Sequence, residues 1–325
     1  MKKFATMATV VVSLAALAAA QQSPSTGQST PPTEAAARKP IKVEVNLVNV
    51  LFTVTDKKDH MILNLNQDDF RLFEDKKPQT IRYFSRETDL PLRIGVLIDT
   101  SNSVRDRLQF EQEAATDFLN ETLRPGKDQA FVVGFDVEPQ ILQDYTDDVD
   151  KLSAAIHSLA AGGGTALYDA IYSACKQKML SLPPVEPYLR RVLIVVSDGR
   201  DNESEHSRDE ALAMAQHSEA IIFAISTNNS GSNTAGQQRP NGYSAGDRVL
   251  QYLAEQTGGR TFFPFEATDL ASNFQEISHE LRSQYSLGYV STNQAHDGTF
   301  RMIAVQTAEK GLRVRAKTGY FAPSQ

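Results

Sequence analysis

The 325-residue chain has little cysteine and no excess of positive charge. Cys175 is the only cysteine, so no intramolecular disulfide can form. Its helical spacing with Tyr168, Ile171 and Met179 favours a buried apolar position over a reactive thiol. The formal net charge is −7, whereas a nucleic-acid-binding surface needs a basic stripe. We therefore expect neither a disulfide framework nor a nucleic-acid partner.

Common catalytic motifs are missing from the sequence as well. It contains no Gly-x-Ser-x-Gly turn, no Gly-x4-Gly-Lys-Ser/Thr loop and no His-Glu-x-x-His helix. The six histidines show no metal-ligand spacing. We expect no enzyme, and a metal-dependent hydrolase of another kind is left as an alternative.

Long apolar runs are absent except at the N-terminus. Lys2 and Lys3 precede an apolar run over residues 4–20, which ends in three alanines. This is the layout of a secretory signal peptide cut after Ala20. An uncleaved membrane anchor is the alternative, but the run is shorter and richer in alanine than the roughly 20 apolar residues of a spanning helix. We predict a signal peptide (1–20), an extracytoplasmic protein, periplasmic or secreted, and no membrane span after cleavage.

The two ends of the remaining chain predict one β domain. Residues 21–40 are rich in Gln, Ser, Thr and Pro, which predicts a disordered linker. Residues 41–88 alternate apolar and polar side chains, and residues 285–321 contain further strand-like segments. Because a few strands alone are marginally stable, we expect both segments to form a small β-sandwich-like domain, with the rest of the chain inserted in it.

The inserted central region (92–284) has an α/β pattern. Nearly continuous apolar runs, typical of strands buried on both faces, alternate with helical patterns. We expect strands at 93–98, 130–135, 192–196, 220–225 and 260–263, an edge strand at 139–143, helices at 104–123, 147–159, 167–180, 207–217, 246–257 and 268–283, and a surface loop at 227–245. This alternation predicts a doubly wound, mainly parallel sheet.

Oxygen-bearing side chains follow the predicted strands of this region. Asp99, Ser101 and Ser103 come after the first strand, Thr165 follows three glycines, and Asp198 ends the strand at 192–196. Because ligands of open α/β sheets bind at the carboxyl edge of the strands, we expect these five residues to meet there. Oxygen ligands without sulfur or imidazole favour Mg²⁺, with Mn²⁺ or Ca²⁺ as alternatives.

Two carboxylates and three neutral hydroxyls would leave a cation electrophilic, so a carboxylate from outside could fill a vacant position. A hydrogen-bonded loop without a metal is the alternative for the Asp-x-Ser-x-Ser motif taken alone. Asp201 lies near the site, and we interpret it as a solvated or loop-bracing acid rather than a ligand.

The spacing of these residues resembles the metal-ion-dependent adhesion site (MIDAS) of von Willebrand factor A (VWFA) domains. The resemblance covers about 92–284 and includes Asp99-x-Ser101-x-Ser103, Thr165 and Asp198-Gly199. It implies direct ligation by Ser101, Ser103 and often Thr165, with Asp99 and Asp198 acting directly or through water. It also implies that an Asp or Glu of a protein partner completes the metal shell.

A second resemblance covers nearly all of the mature chain. The segments Asp69-Phe70-Arg71-Leu72-Phe73-Glu74-Asp75, Gly163-Gly164-Thr165-Ala166-Leu167-Tyr168-Asp169-Ala170 and Gly319-Tyr320-Phe321 are similar to the VWFA-related proteins of Acidobacteria. The expected function is an exported, metal-dependent protein-binding module in adhesion or envelope assembly. The alternatives are a metal-dependent envelope hydrolase and a structural protein that the metal only stabilises.

Overall fold

A computed structural model describes residues 47–87, 89–181, 189–228, 243–264 and 267–324. The predicted signal peptide (1–20), the linker (21–40) and most of the loop at 227–245 lie outside these residues. The strands are β1 (Leu47–Thr55), β2 (Phe70–Glu74), β3 (Lys77–Gln79), β4 (Ile81–Glu87), β5 (Leu92–Asp99), β6 (Gln129–Phe135), β7 (Pro139–Thr146), β8 (Arg190–Ser197), β9 (Ile221–Ser226), β10 (Thr261–Phe262), β11 (Gln284–Val290), β12 (Phe300–Thr307), β13 (Arg313–Ala316) and β14 (Gly319–Phe321). The α-helices are α1 (Leu108–Thr122), α2 (Val149–His157), α3 (Leu167–Ala174), α4 (Arg208–His217), α5 (Ala245–Thr257) and α6 (Ala267–Leu281).

The central region contains a six-stranded sheet with the order β10-β9-β8-β5-β6-β7. Its neighbouring strands are parallel except for β7, which runs antiparallel to β6 at the edge. Residues 192–196 of β8 are fully buried, as their continuous apolar run indicates. The predicted doubly wound, mainly parallel sheet is therefore confirmed.

Helices cover both faces of this sheet. One core contains side chains from α1, α2 and α6, and in it the rings of Phe118 and Phe274 lie 5.1 Å apart. The opposite core contains side chains from α3, α4 and α5. With both faces covered, the carboxyl ends of β5 and β8 are left at one edge of the sheet, where ligands bind in such folds.

The strands outside the central region form two four-stranded antiparallel sheets, which we call the end sheets. Their orders are β13-β1-β11-β4 and β14-β12-β2-β3, so each contains strands from both sides of the central region. Phe52, Phe70 and Tyr285 meet in the core that the two end sheets share. This confirms that the two chain segments build additional β structure together, while the predicted domain boundaries stay predictions.

Several elements differ in detail from the sequence prediction. The turn after β2 is tight, because Asp75 and Lys76 both have positive φ and lead directly into β3. Pro78 lies in β3, an edge strand, where a missing N–H is tolerated. The helix expected from residue 104 begins at Leu108, since a 3₁₀ turn at Asn102–Val104 precedes it. Among the described residues, no helix is both long and apolar enough to cross a bilayer.

Candidate metal centre

Asp99 lies at the end of β5 and is fully buried. Its Oδ1 accepts a hydrogen bond from the Ser101 N–H at 2.9 Å, and its Oδ2 accepts one from the Ser197 hydroxyl at 2.7 Å. The carboxylate therefore fixes the backbone of the following loop at Ser101 and connects the carboxyl ends of β5 and β8.

The two serines of this loop place their hydroxyl groups side by side. Ser101 Oγ and Ser103 Oγ lie 2.8 Å apart. Neighbouring oxygens around Mg²⁺ are separated by a similar distance, about 2.9 Å, when each ligand is about 2.0–2.1 Å from the ion in an octahedron. Ser101 is buried and Ser103 is exposed. The pair thus fits two adjacent positions of a hard cation's shell.

The glycine segment before α3 packs on the same loop. The Gly162 N–H donates to Thr100 O at 2.7 Å, and the Asn102 N–H donates to Gly163 O at 3.3 Å. Thr165 follows, and its N–H donates to Asn202 Oδ1 at 2.8 Å. These bonds hold the Thr165 backbone between the first loop and the segment after β8.

Asp198 directly follows β8 and is 5% exposed. The Arg200 N–H donates to its Oδ1 at 2.9 Å. Gly199 and Gly246 lie backbone to backbone, and a Cβ on Gly246 would be 2.1 Å from Asp198 O. This close approach brings the N-terminal turn of α5 against the candidate site.

An open cleft of about 530 Å³ lies where these segments meet. Ser101, Ser103, Thr165 and Asp198 line it, while Asp99 lies behind the loop. The structure thus brings all five predicted residues to one edge of the sheet, and four of them face the cleft. Their role as metal ligands stays a prediction. Ala245, Gly246 and Val249 of α5 also line the cleft, a contribution that the sequence analysis did not predict.

The electrostatics of the centre disfavour an uncompensated negative charge. Burial raises the pKa of Asp99. Hydrogen bonds from Ser197 and Ser101 lower this pKa, and the nearby charge of Asp198 raises it further.

The described residues contain no group of three or more His, Cys, Asp or Glu that could hold a metal. The candidate centre instead combines two carboxylates with three hydroxyls, a donor set suited to a hard cation.

Neighbouring acidic residues brace the loops around the cleft. Asp201 Oδ2 accepts hydrogen bonds from the Tyr168 N–H at 3.0 Å and the Ser204 hydroxyl at 2.6 Å, in agreement with its interpretation as a loop-bracing acid. Asp169 accepts bonds from the N–H groups of Glu205 and His206, both at 2.9 Å. These contacts hold the start of α3 against the segment after Asp198.

The central sheet and its helices form a VWFA-like α/β fold, to which the two end sheets are added. The family model of the von Willebrand factor type A domain matches residues 94–200, a range that includes all five predicted site residues. The closer resemblance to the Acidobacteria proteins stays a prediction.

Several solved structures align with part of this chain at low sequence identity. An aerotolerance-related membrane protein from Bacteroides fragilis is 18% identical over 58% of this chain and 98% of its own, with a TM-score of 0.46. BatB, a conserved hypothetical protein from Bacteroides thetaiotaomicron, is 20% identical over 59% of this chain and 100% of its own, with a TM-score of 0.45. Proximal thread matrix protein 1 from the mussel byssus, with a zinc-occupied MIDAS motif, is 17% identical over 65% of this chain and 50% of its own, with a TM-score of 0.47. No curated protein matches this chain.

Proposed function

We propose that this protein is an exported binding module that uses a divalent cation to grip an acidic residue of a protein partner. Ser101, Ser103, Thr165 and Asp198 would hold the cation, with Mg²⁺ as the preferred ion. Asp99 would orient Ser101 and contribute its charge from behind the loop. The partner's Asp or Glu would complete the shell from the open side of the cleft.

One observation carries this proposal: oxygen-bearing side chains from three separate loops line a single open cleft at the carboxyl edge of the sheet. Three of these side chains are neutral hydroxyls, so a bound cation keeps part of its charge unneutralised. The cleft leaves room on the solvent side, where Mg²⁺ ordinarily keeps waters that another oxygen ligand can replace. A carboxylate is the group that such a cation attracts most strongly.

The first test is titration of the purified protein with Mn²⁺ and Mg²⁺. We expect Asp99→Ala to weaken Mn²⁺ binding by about tenfold or more, because it removes both a charge and the group that orients Ser101. Ser103→Ala is a second variant at an exposed position, where loss of folding is not a concern. Asp106→Asn is the matched control, since this exposed acid follows the loop without lining the cleft. Equal binding by all four proteins would refute the site assignment.

The second test concerns the partner. Crosslinking pull-downs from envelope extract should capture a protein in Mg²⁺ that is lost in EDTA and with Asp99→Ala. Replacing acidic residues of the captured protein should then identify one whose loss abolishes capture. Cation binding without any cation-dependent capture would favour a purely stabilising metal, because any ligand of the folded state stabilises it. Turnover of a hydrolysable substrate that Asp99→Ala abolishes would favour the metal-dependent hydrolase.

Export is part of the proposal and has its own measurement. If the signal peptide is cut as proposed, the protein recovered from its native host begins at Gln21. It would be found in the periplasmic or secreted fraction. A protein recovered with residues 1–20 intact would support the membrane anchor instead.

A further inference from the structure

Glu111 has a buried carboxylate without a hydrogen-bonding partner among the described residues. It lies in the first turn of α1 and is 2% exposed. Neither of its carboxylate oxygens has a partner within the described residues. Its neighbour Gln112 is paired, since the amide donates to Ile156 O at 2.8 Å. An acid buried without a partner is costly, so its presence calls for a compensating interaction.

The charges around Glu111 belong mainly to the candidate metal centre. Burial is the main reason that the pKa of Glu111 rises to about 8. The charges of Asp99 and Asp198 raise this pKa further, and the charge of Arg107 lowers it. Arg107 directs its guanidinium elsewhere, with Nη1 donating to Thr227 O at 2.7 Å. The carboxylates of Asp99 and Asp198 therefore disfavour a charge on Glu111, which has no hydrogen-bonded cationic partner among the described side chains.

We propose that Glu111 is a third carboxylate of the metal centre, a positioning residue in the first turn of α1 that strengthens cation binding. A cation in the cleft is the positive charge that this buried group lacks. Glu111 would act on the cation through its charge, not as a direct ligand. This inference rests on the proposed function, because it requires the cleft to bind a cation.

Glu111→Gln tests the inference, because it removes the group that could ionise beside a bound cation and keeps the shape of the side chain. Since neither carboxylate oxygen of Glu111 has a hydrogen-bond partner in the part of the chain that the structure describes, the substitution breaks no side-chain hydrogen bond there. We expect the metal-free variant to unfold close to the wild-type temperature but to bind Mn²⁺ about tenfold more weakly, as is typical when groups behind the ligands are changed. Glu113→Gln, an exposed acid of the same helix, is the matched control and should bind like wild type.

Glu111→Met is a second neutral variant. It places no polar atom in the buried site, so it gives the same affinity measurement if the Gln variant does not fold. Wild-type affinity for Mn²⁺ in either neutral variant, with Asp99→Ala still impaired, would overturn this inference and leave the proposed cation site standing. Failure of the wild-type protein itself to bind Mn²⁺ would overturn both.

Discussion

Gly199 combines two constraints at a single residue next to the metal centre. Its φ is +74°, and an added Cβ would lie 2.3 Å from Gly246 O. Gly199→Ala must therefore adopt a strained backbone conformation and also push α5 or Asp198 away. We expect it to lower the free energy of unfolding by about 2–3 kcal/mol and to weaken Mn²⁺ binding, as measured by urea unfolding and metal titration.

Gly126 provides a control that separates the two effects. Its φ is +72°, but nothing lies within 4 Å of an added Cβ. Gly126→Ala should lower the free energy of unfolding by only about 1 kcal/mol, the cost of a positive φ at alanine. This variant should bind Mn²⁺ like wild type. If the two alanine variants are equally stable and bind metal equally, the close contact between Gly199 and Gly246 does not support the site.

Individual residues also show why part of the centre was predictable. The Asp-x-Ser-x-Ser motif, Thr165 and Asp198 each follow a buried strand or a glycine turn, so their meeting at one edge follows from the parallel topology. Glu111 was missed although the periodicity of α1 contains it, three residues after Leu108 and four before Ala115, on the buried face. Its residue type suggests a solvated surface, and only the three-dimensional packing shows that it is enclosed.

At the scale of elements, Asp128 connects three segments. Its buried carboxylate accepts hydrogen bonds from the Leu92 N–H at the start of β5, from Arg124 after α1 and from Arg282 after α6. Burial alone would raise the pKa of Asp128, but the bonds from Arg124, Leu92 and Arg282 outweigh it and hold the pKa at about 2. The ionised form therefore stabilises the junction of these three segments.

The sign of the resulting pH dependence follows from this lowered pKa. The unfolded chain binds a proton at a pKa near 3.8 and the folded protein near 2, so the stabilisation is complete above about pH 4 and is lost as the pH falls towards 2. The slope from this group is at most about 1.4 kcal/mol per pH unit. Asp128→Asn should remove that dependence and lower stability by about 3 kcal/mol at pH 7. Urea unfolding at several pH values measures both effects.

Asp89→Asn is the control for Asp128. Asp89 also pairs with Arg124, but its side chain is 78% exposed, so solvent screening should make its loss a small effect. If Asp128→Asn and Asp89→Asn change the acid dependence equally, the buried junction does not contribute as argued.

The bounds of long strands and helices with a clear apolar period could be predicted more accurately than those of short elements. The strands at 93–98 and 192–196 and helices such as α5 lie within two residues of their predicted bounds, because long apolar patterns report burial directly. β3 and β14 each have three residues, too few to show a period. The helix expected over 167–180 ends at Ala174, where a π-helical turn over Cys175–Met179 replaces it, a change that the apolar spacing does not reveal.

At the scale of the whole molecule, Glu280 links the central region to the end sheets. This residue of α6 is 1% exposed. Its carboxylate accepts a hydrogen bond from the Thr53 hydroxyl of β1 at 3.0 Å, and it forms ion pairs with Arg315 of β13 and with Arg260, the latter at 3.2 Å. The buried Glu280 carboxylate thus contacts two neighbouring strands of one end sheet as well as the central region. These contacts predict that the central region and the end sheets unfold together.

Calorimetry with and without Mn²⁺ tests this coupling. A cation bound in the cleft stabilises the central region directly, so a coupled protein should show one unfolding transition that moves to higher temperature as a whole. Glu280→Gln leaves two arginines without their buried anion, which should cost about 3 kcal/mol and separate the transitions. Mn²⁺ would then shift the transition of the central region and not that of the end sheets.

Glu276→Gln completes the design, because Glu276 lies on the same helix and pairs with the same Arg260 at 2.6 Å but is 56% exposed. Its loss should leave a single transition that still responds to Mn²⁺, since exposed ion pairs contribute little to stability. Two transitions in the wild-type protein, with Mn²⁺ shifting one of them, would mean that the end sheets unfold independently. The contacts of Glu280 would then connect the central region and the end sheets without coupling their unfolding.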